Sequence, residues 1–247
     1  MKKILWCLFF PIFIFSCHTG YEIADASYTD YRLESGSYDP NPDVENILKP
    51  YRDDMSAEMN AIAIISTAEM RMGRPESTLG NFAADATEIM AEYYTDKEVA
   101  FALHNYRGIR IGNIGKGPIT VGRIYEAMPF DNYLVTVDLT GDEVQLMCDF
   151  MAGNGGWPSS ASLTYEIYNG KAQNVKIDGK PIKKDAIYVM ATNSYVVTGA
   201  NYQEFLKEKE MTNTKVFVRD ALVEYLKSLH EAGKKLNPGL DKRVVKK

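Results

Sequence analysis

The sequence predicts an α+β fold, a mixed sheet with helices packed against it. Three observations carry this. Apolar residues recur at helical spacing in several stretches and as short alternating or continuous strand-like runs in others. The two kinds of stretch mix along the chain with few strict strand–helix–strand units. No internal repeat period is visible in the 247 residues, of which 45% are hydrophobic, an ordinary proportion for a chain with a sizeable core.

Taken in order, the chain opens on Lys2 and Lys3, an apolar run from Ile4 to Phe15, and then Ser16-Cys17. The run is too short to span a bilayer as a helix and reads as a targeting segment. A small residue before Cys is the pattern of a lipoprotein signal, so residues 1–17 are expected to be the signal, with Cys17 lipidated at a bacterial cell envelope. The alternatives are an ordinary secretion signal with an incidental Cys, or an uncleaved anchor. Residues 18–42 are rich in Tyr, Ser, Asp, Gly and Pro and close on Asp39-Pro40-Asn41-Pro42, a tether between lipid and domain. The domain is expected to occupy 43–247.

Residues 43–59 interleave charged and apolar positions and predict a helix; 60–67 (NAIAIIST) predicts a buried strand. The stretch 77–94 places Leu79, Phe82, Ala83, Ala86, Ile89, Met90 and Tyr93 on one helical face, with Ser77 or Thr78 as the cap. A strand is expected over 99–104, a short helix over 120–128, a strand over 133–139, and a helix over 142–152 started by Gly141. Residues 163–168 and 172–177 pair as a hairpin across Asn169-Gly170, where both turn positions favour positive φ. A strand over 186–192 and helices over 202–210 and 216–232 follow, the last ending at Gly233.

Composition excludes several functions. The net charge is −5 and becomes more acidic once Lys2 and Lys3 are removed, which argues against nucleic acid as a partner. Beyond the signal and the lipidation site only Cys148 remains, in an apolar helical stretch, so it is expected to be a buried small hydrophobe. His18, His104 and His230 show no metal-ligand spacing, and no Cys pair offers a zinc site. A Ser77/His104/Asp85 grouping lacks the surroundings of a nucleophile elbow. No catalytic residue and no metal site are assigned to this chain.

Four segments carry a ligand signal. They are Arg74-Pro75-Glu76-Ser77-Thr78-Leu79-Gly80-Asn81-Phe82-Ala83-Ala84-Asp85-Ala86, Asn105-Tyr106-Arg107-Gly108-Ile109-Arg110, Pro129-Phe130-Asp131-Asn132, and the stretch 191–202, which ends Ser194-Tyr195 … Gly199-Ala200-Asn201-Tyr202. Together and in this order they resemble the C-terminal, substrate-binding domain of the 5'-nucleotidase family, over roughly 60–230. The resemblance implies that Phe130 and Tyr195 sandwich a base, that Asn132 reads its edge, and that Arg110 faces the anionic end. It also implies Arg74 as a second arginine, with Arg71 competing, and Gly155 as a further substrate-binding position. Stacking needs only a π face, an amide can both donate and accept, and a guanidinium fork suits phosphate. Two positions depart from the family. Gly199-Ala200-Asn201-Tyr202 is one residue shorter than Gly-Gly-Asp-Gly-Tyr, with Asn201 in place of the ribose-binding aspartate. Arg107 stands where the family has glycine.

The family's catalytic half carries Asp-x-His and Gly-Asn-His-Glu/Asp segments that ligate two metals, and neither occurs in this sequence. The expectation is the nucleoside- or nucleotide-binding half of a split, membrane-tethered 5'-nucleotidase. It needs no cofactor of its own, the dimetal centre being on a partner metallophosphatase chain, and it is inactive alone. The alternative is a non-enzymatic lipoprotein that captures nucleosides or another flat ligand. A third reading is a protein-interaction module.

Overall fold

The computed structural model describes residues 39–199 and 203–247, together with Ser27 and Thr29. The chain divides into two compact units, Met1–Asn46 and Ile47–Lys247, and the second carries the fold. The signal, Cys17, most of the tether and Asn201 lie outside the described residues. In chain order the elements are α1 (Pro42–Asn60), β1 (Ile62–Ser66), β2 (Met70–Arg71), α2 (Thr78–Thr95), β3 (Phe101–Ala102), β4 (Asn113–Ile114), β5 (Gly117–Thr120) and α3 (Val121–Ala127). Then come β6 (Tyr133–Thr140), α4 (Gly141–Gly153), β7 (Leu163–Tyr168), β8 (Lys171–Ile177), β9 (Lys180–Pro181), β10 (Ile187–Asn193), β11 (Met211–Phe217), α5 (Val218–Glu231) and β12 (Val244–Lys246).

The fold is α+β, built on the four-stranded sheet β11-β6-β10-β3. The strand β6 is antiparallel to both neighbours, whereas β3 joins β10 in parallel, with Ala102 opposite Ala191. Side chains on a strand alternate between faces, and here each face feeds its own core. Leu134, Val189 and Ala191 pack with α2, α3 and α5; Val135, Val137, Leu139 and Met190 pack with α4 and the β7–β8 hairpin. The hairpin turns at Asn169 and Gly170, with φ of +48° and +74°, the geometry its sequence demands. Local signals set the helix starts. Ser77 caps α2 by accepting from the Gly80 amide, and Thr140 and Glu143 form a reciprocal capping box on α4. Cys148 is fully buried on α4, and burial pushes its thiol pKa up.

Three expectations are corrected. The strand over 99–104 shortens to Phe101–Ala102, with Leu103 adding one isolated bridge to Ser159. Residues 204–208 form a 3₁₀ turn, not a helix continuing to 210, and Met211–Phe217 is a strand, so α5 begins at Val218. The charged run Lys207-Glu208-Lys209-Glu210 reads as helical in isolation. Tertiary pairing of the following Met211, Thr212, Asn213 and Phe217 along β6 decides otherwise.

The segment after α5 returns to the body. The Leu236 carbonyl accepts from the Thr67 amide and the Leu236 amide donates to the Ile65 carbonyl on β1, and β12 pairs in parallel with β7. Arg243, 4% exposed, is held by Asp85 at 2.7 Å, Asp241 at 2.6 Å and the Ser159 carbonyl at 2.8 Å. Burial opposes its charge, but the bonds to Asp241 and Asp85 outweigh it and keep the guanidinium firmly protonated. Arg243→Met is expected to lower stability by about 1–2 kcal/mol, because the Ser159 carbonyl and two part-exposed carboxylates lose a charged hydrogen-bond partner. Urea unfolding followed by circular dichroism measures this; a loss below about 0.5 kcal/mol would show that the segment is held by its strand pairing alone.

Candidate functional site

Because β3 and β10 are parallel and β6 antiparallel to them, the ends of β3 and β10 and the start of β6 lie at one edge of the sheet. The segments that follow or precede those ends are 104–110, 194–199 and 129–132. They enclose a cavity of about 340 Å³ lined by Asn105, Arg107, Gly108, Arg110, Phe130, Asn132 and Tyr195. Four sequence-predicted residues, Phe130, Tyr195, Asn132 and Arg110, are thereby brought together. Both rings are 42% exposed, unlike the core aromatics. The Arg110 guanidinium carbon lies 5.6 Å from the Phe130 ring centroid, within cation–π range.

Each wall is pinned by its own bonds. The Arg110 amide donates to the Ala127 carbonyl at the end of α3 (2.8 Å). Asp131 turns to Arg219 (2.6 Å), and the Asn132 carbonyl accepts from the Val218 amide that opens α5 (2.9 Å). This leaves the Asn132 side chain on the cavity. The Tyr133 amide donates to Ser194 Oγ (3.0 Å), joining the start of β6 to the residue before Tyr195. Tyr195–Gly199 is a single π-helical turn. At Gly199 a Cβ would stand 2.3 Å from Tyr195 Cδ2, so only glycine lets the ring lie back over that turn.

Below these walls lies a buried polar floor. Asn193, at the end of β10, is 3% exposed. Its Oδ1 accepts from the Val196 amide (3.2 Å), and its Nδ2 donates to Asn105 Oδ1 (3.1 Å) and faces His104 Nδ1 (3.3 Å). With Nδ1 accepting, His104 carries its proton on Nε2, 2.7 Å from Thr87 Oγ1, which in turn donates to the Ala83 carbonyl. Burial holds the His104 pKa down at about 4. Asn193 was not singled out by the sequence; the one signal available was its place two residues before Tyr195.

Arg74 and Gly155 lie elsewhere. The Arg74 guanidinium carbon sits 4.1 Å over the Tyr106 ring, and a Cβ on Gly155 would meet Arg74 Cδ at 3.3 Å. Arg74 and Gly155 are thus neighbours of each other, and neither lines the cavity. Arg71 pairs with Glu69 on the surface. Ser77, His104 and Asp85 do three separate structural jobs: helix cap, buried hydrogen-bond relay and partner of Arg243. Among the described residues no cluster of three or more His, Cys, Asp or Glu could hold a metal ion.

The fold thus sets a cavity lined by two exposed rings at one edge of its central sheet. The model of the 5'-nucleotidase C-terminal domain family matches residues 58–208, and the chain belongs to that family. It is 29% identical over 81% of its length to "Endonuclease YhcR" of Bacillus subtilis, and 30% identical over 68% of its length to the "Trifunctional nucleotide phosphoesterase protein YfkN" of the same organism. It spans 17% and 12% of those two proteins. A 5'-nucleotidase precursor from Thermus thermophilus superimposes with a TM-score of 0.70 at 26% identity, over 82% of this chain and 42% of that one.

The buried neutral histidine makes stability depend on pH. The unfolded His104 binds a proton near pH 6.5, whereas the folded one resists until about pH 4. Its contribution is therefore complete above about pH 6.5 and is lost as pH falls towards about 4, on the order of 3 kcal/mol in all. Denaturant titrations between pH 4 and 7 should show this slope reduced in His104→Gln relative to the unaltered protein. Parallel profiles for the two would show that His104 is not the titrating group.

Proposed function

We propose that this chain is the nucleoside- or nucleotide-binding half of a membrane-tethered 5'-nucleotidase whose dimetal phosphoesterase centre is on another chain. The observation that carries the reading is the gathering of Phe130, Tyr195, Asn132 and Arg110 around one cavity of about 340 Å³. That volume falls within the range of small-molecule sites. Two exposed rings provide stacking faces that tolerate different bases, Asn132 can pair with a base edge in either sense, and Arg110 suits an anionic group. Membership of the family supports the same reading, as does the name of the YfkN relative. In such an arrangement the domain supplies orientation: a base held between rings fixes where the phosphate sits relative to a nucleophile. Asn201 is proposed as the ribose contact, Arg74 and Gly155 as more distant contributors, and Cys17 as the lipidated residue at the bacterial cell envelope.

Calorimetric titration with adenosine and AMP tests the core of this. Phe130→Ala is expected to weaken adenosine binding by on the order of 1–3 kcal/mol, the usual worth of one base–aromatic stack. Unchanged adenosine affinity in both Phe130→Ala and Tyr195→Ala would end the stacking assignment.

The purified chain is expected to bind AMP without hydrolysing it when Mn²⁺ is added. Phosphate release that co-purifies with the chain would remove the need for a separate catalytic chain. Metabolic labelling with a fatty acid should mark the unaltered protein and not Cys17→Ala; equal labelling of both would refute lipidation there.

A further inference from the structure

Arg107 stands out in the cavity. Its wall turns through the 3₁₀ segment Tyr106–Gly108, so Arg107 and Arg110 line the same space from one short stretch of chain. No carboxylate is among the seven lining residues, although the chain carries 33 acidic side chains. The nearest acid in sequence to the ring Phe130 is Asp131, and it is committed to Arg219 at 2.6 Å. Among the described residues neither Arg107 nor Arg110 is paired with an acid. A protein with a net charge of −5 thus sets two guanidiniums at one cavity beside two rings with no acidic partner among the described residues. Each guanidinium offers a planar fork that fits two oxygens of a phosphate, and charge-assisted pairs of this kind are about twice as strong as neutral hydrogen bonds. One guanidinium leaves a phosphate monoester, at about −1.5 to −2 near pH 7, only partly neutralised; two match it.

We propose that Arg107 is a specificity-determining residue, forming with Arg110 a two-arginine clamp that makes this site select nucleoside phosphates carrying two negative charges or more over the free nucleoside. This rests on the reading that the cavity takes a nucleoside, and it goes beyond it by naming the phosphorylation state. The clamp also gives the site a direction. A ligand that has lost its phosphate keeps the rings and Asn132 but loses both arginines, so the dephosphorylated form leaves the site more readily than the phosphorylated form.

Titrating the full chain with adenosine, 3',5'-cyclic AMP, AMP and ADP at low and high salt separates ring from charge. The affinity should rise with charge in that order, AMP binding about tenfold tighter than adenosine at low salt, and the gap should narrow as salt screens the clamp. Arg107→Gln and Arg107→Gly should each close most of the gap, and Arg107→Lys should restore part of it, since a point charge replaces the fork. Arg107 is exposed, so the thermal midpoints of these variants should match that of the unaltered protein. If adenosine binds in a Phe130-dependent way but the AMP-to-adenosine ratio is the same in Arg107→Gln, the clamp is wrong and the nucleoside reading stands. If neither adenosine nor AMP binds, the nucleoside reading is wrong. Inorganic pyrophosphate then decides the clamp: Arg107-dependent binding upholds it, and no binding overturns it.

Discussion

One buried amide, that of Asn193, holds the candidate site to the sheet. Its oxygen takes the Val196 amide and so fixes the turn that carries Tyr195. Its nitrogen reaches Asn105 and His104 on the neighbouring strand's continuation. This arrangement exists only in one register. Asn193 pairs opposite Leu134 and Ala191 opposite Ala102, and a slip of one residue would turn Asn193 to the other face of the sheet. The two apolar cores on opposite faces enforce that register, because Val135, Val137 and Leu139 cannot exchange places with Leu134, Thr136 and Asp138 without exposing core and burying charge. The site is therefore positioned by packing at a distance from it.

The polarity of the site is layered. The floor is neutral: hydrogen bonds link Thr87, His104, Asn193 and Asn105 with no net charge, as a water-poor interior requires. The walls are aromatic and amide, and positive charge is confined to Arg107 and Arg110, which are exposed. A ligand with an apolar flat end and an anionic end would meet these layers in the matching order. The contrast with Arg243 is instructive. That guanidinium is buried and spent on two carboxylates, which makes it a fastener, whereas the cavity arginines have no ion-pair partner among the described residues.

Much of this was legible in the sequence. Alternation in residues 133–139, the helical face of 77–94 and the Asn169-Gly170 turn each specify their element through side-chain pattern alone. Phe130, Tyr195, Arg110 and Asn132 were legible through the resemblance to the 5'-nucleotidase family that four segments carry in order, not through pattern or spacing alone. Arg74 and Gly155 came together with each other and with Tyr106, since the Arg74 side chain is taken by a ring that spacing cannot reveal. The strand β11 was hidden because its pairing with β6 is long-range and its residues carry no clean alternation. Asn193 was hidden for a related reason: the worth of a buried amide depends on partners 88 and 89 positions away in sequence.

The return of the chain after α5 has a kinetic consequence. Residue 236 bonds to 65 and 67, and Arg243 reaches Asp85 across 158 positions, so the body is closed by contacts between its earliest and latest parts. Contacts of such separation form late and slow folding, because the loop entropy must be met before they contribute. A chain emerging from its amino end leaves the β7 edge without β12, and the Asp85 carboxylate without Arg243, until those later residues arrive. Closure of the body therefore waits on residues 236–246, whichever elements have formed before them.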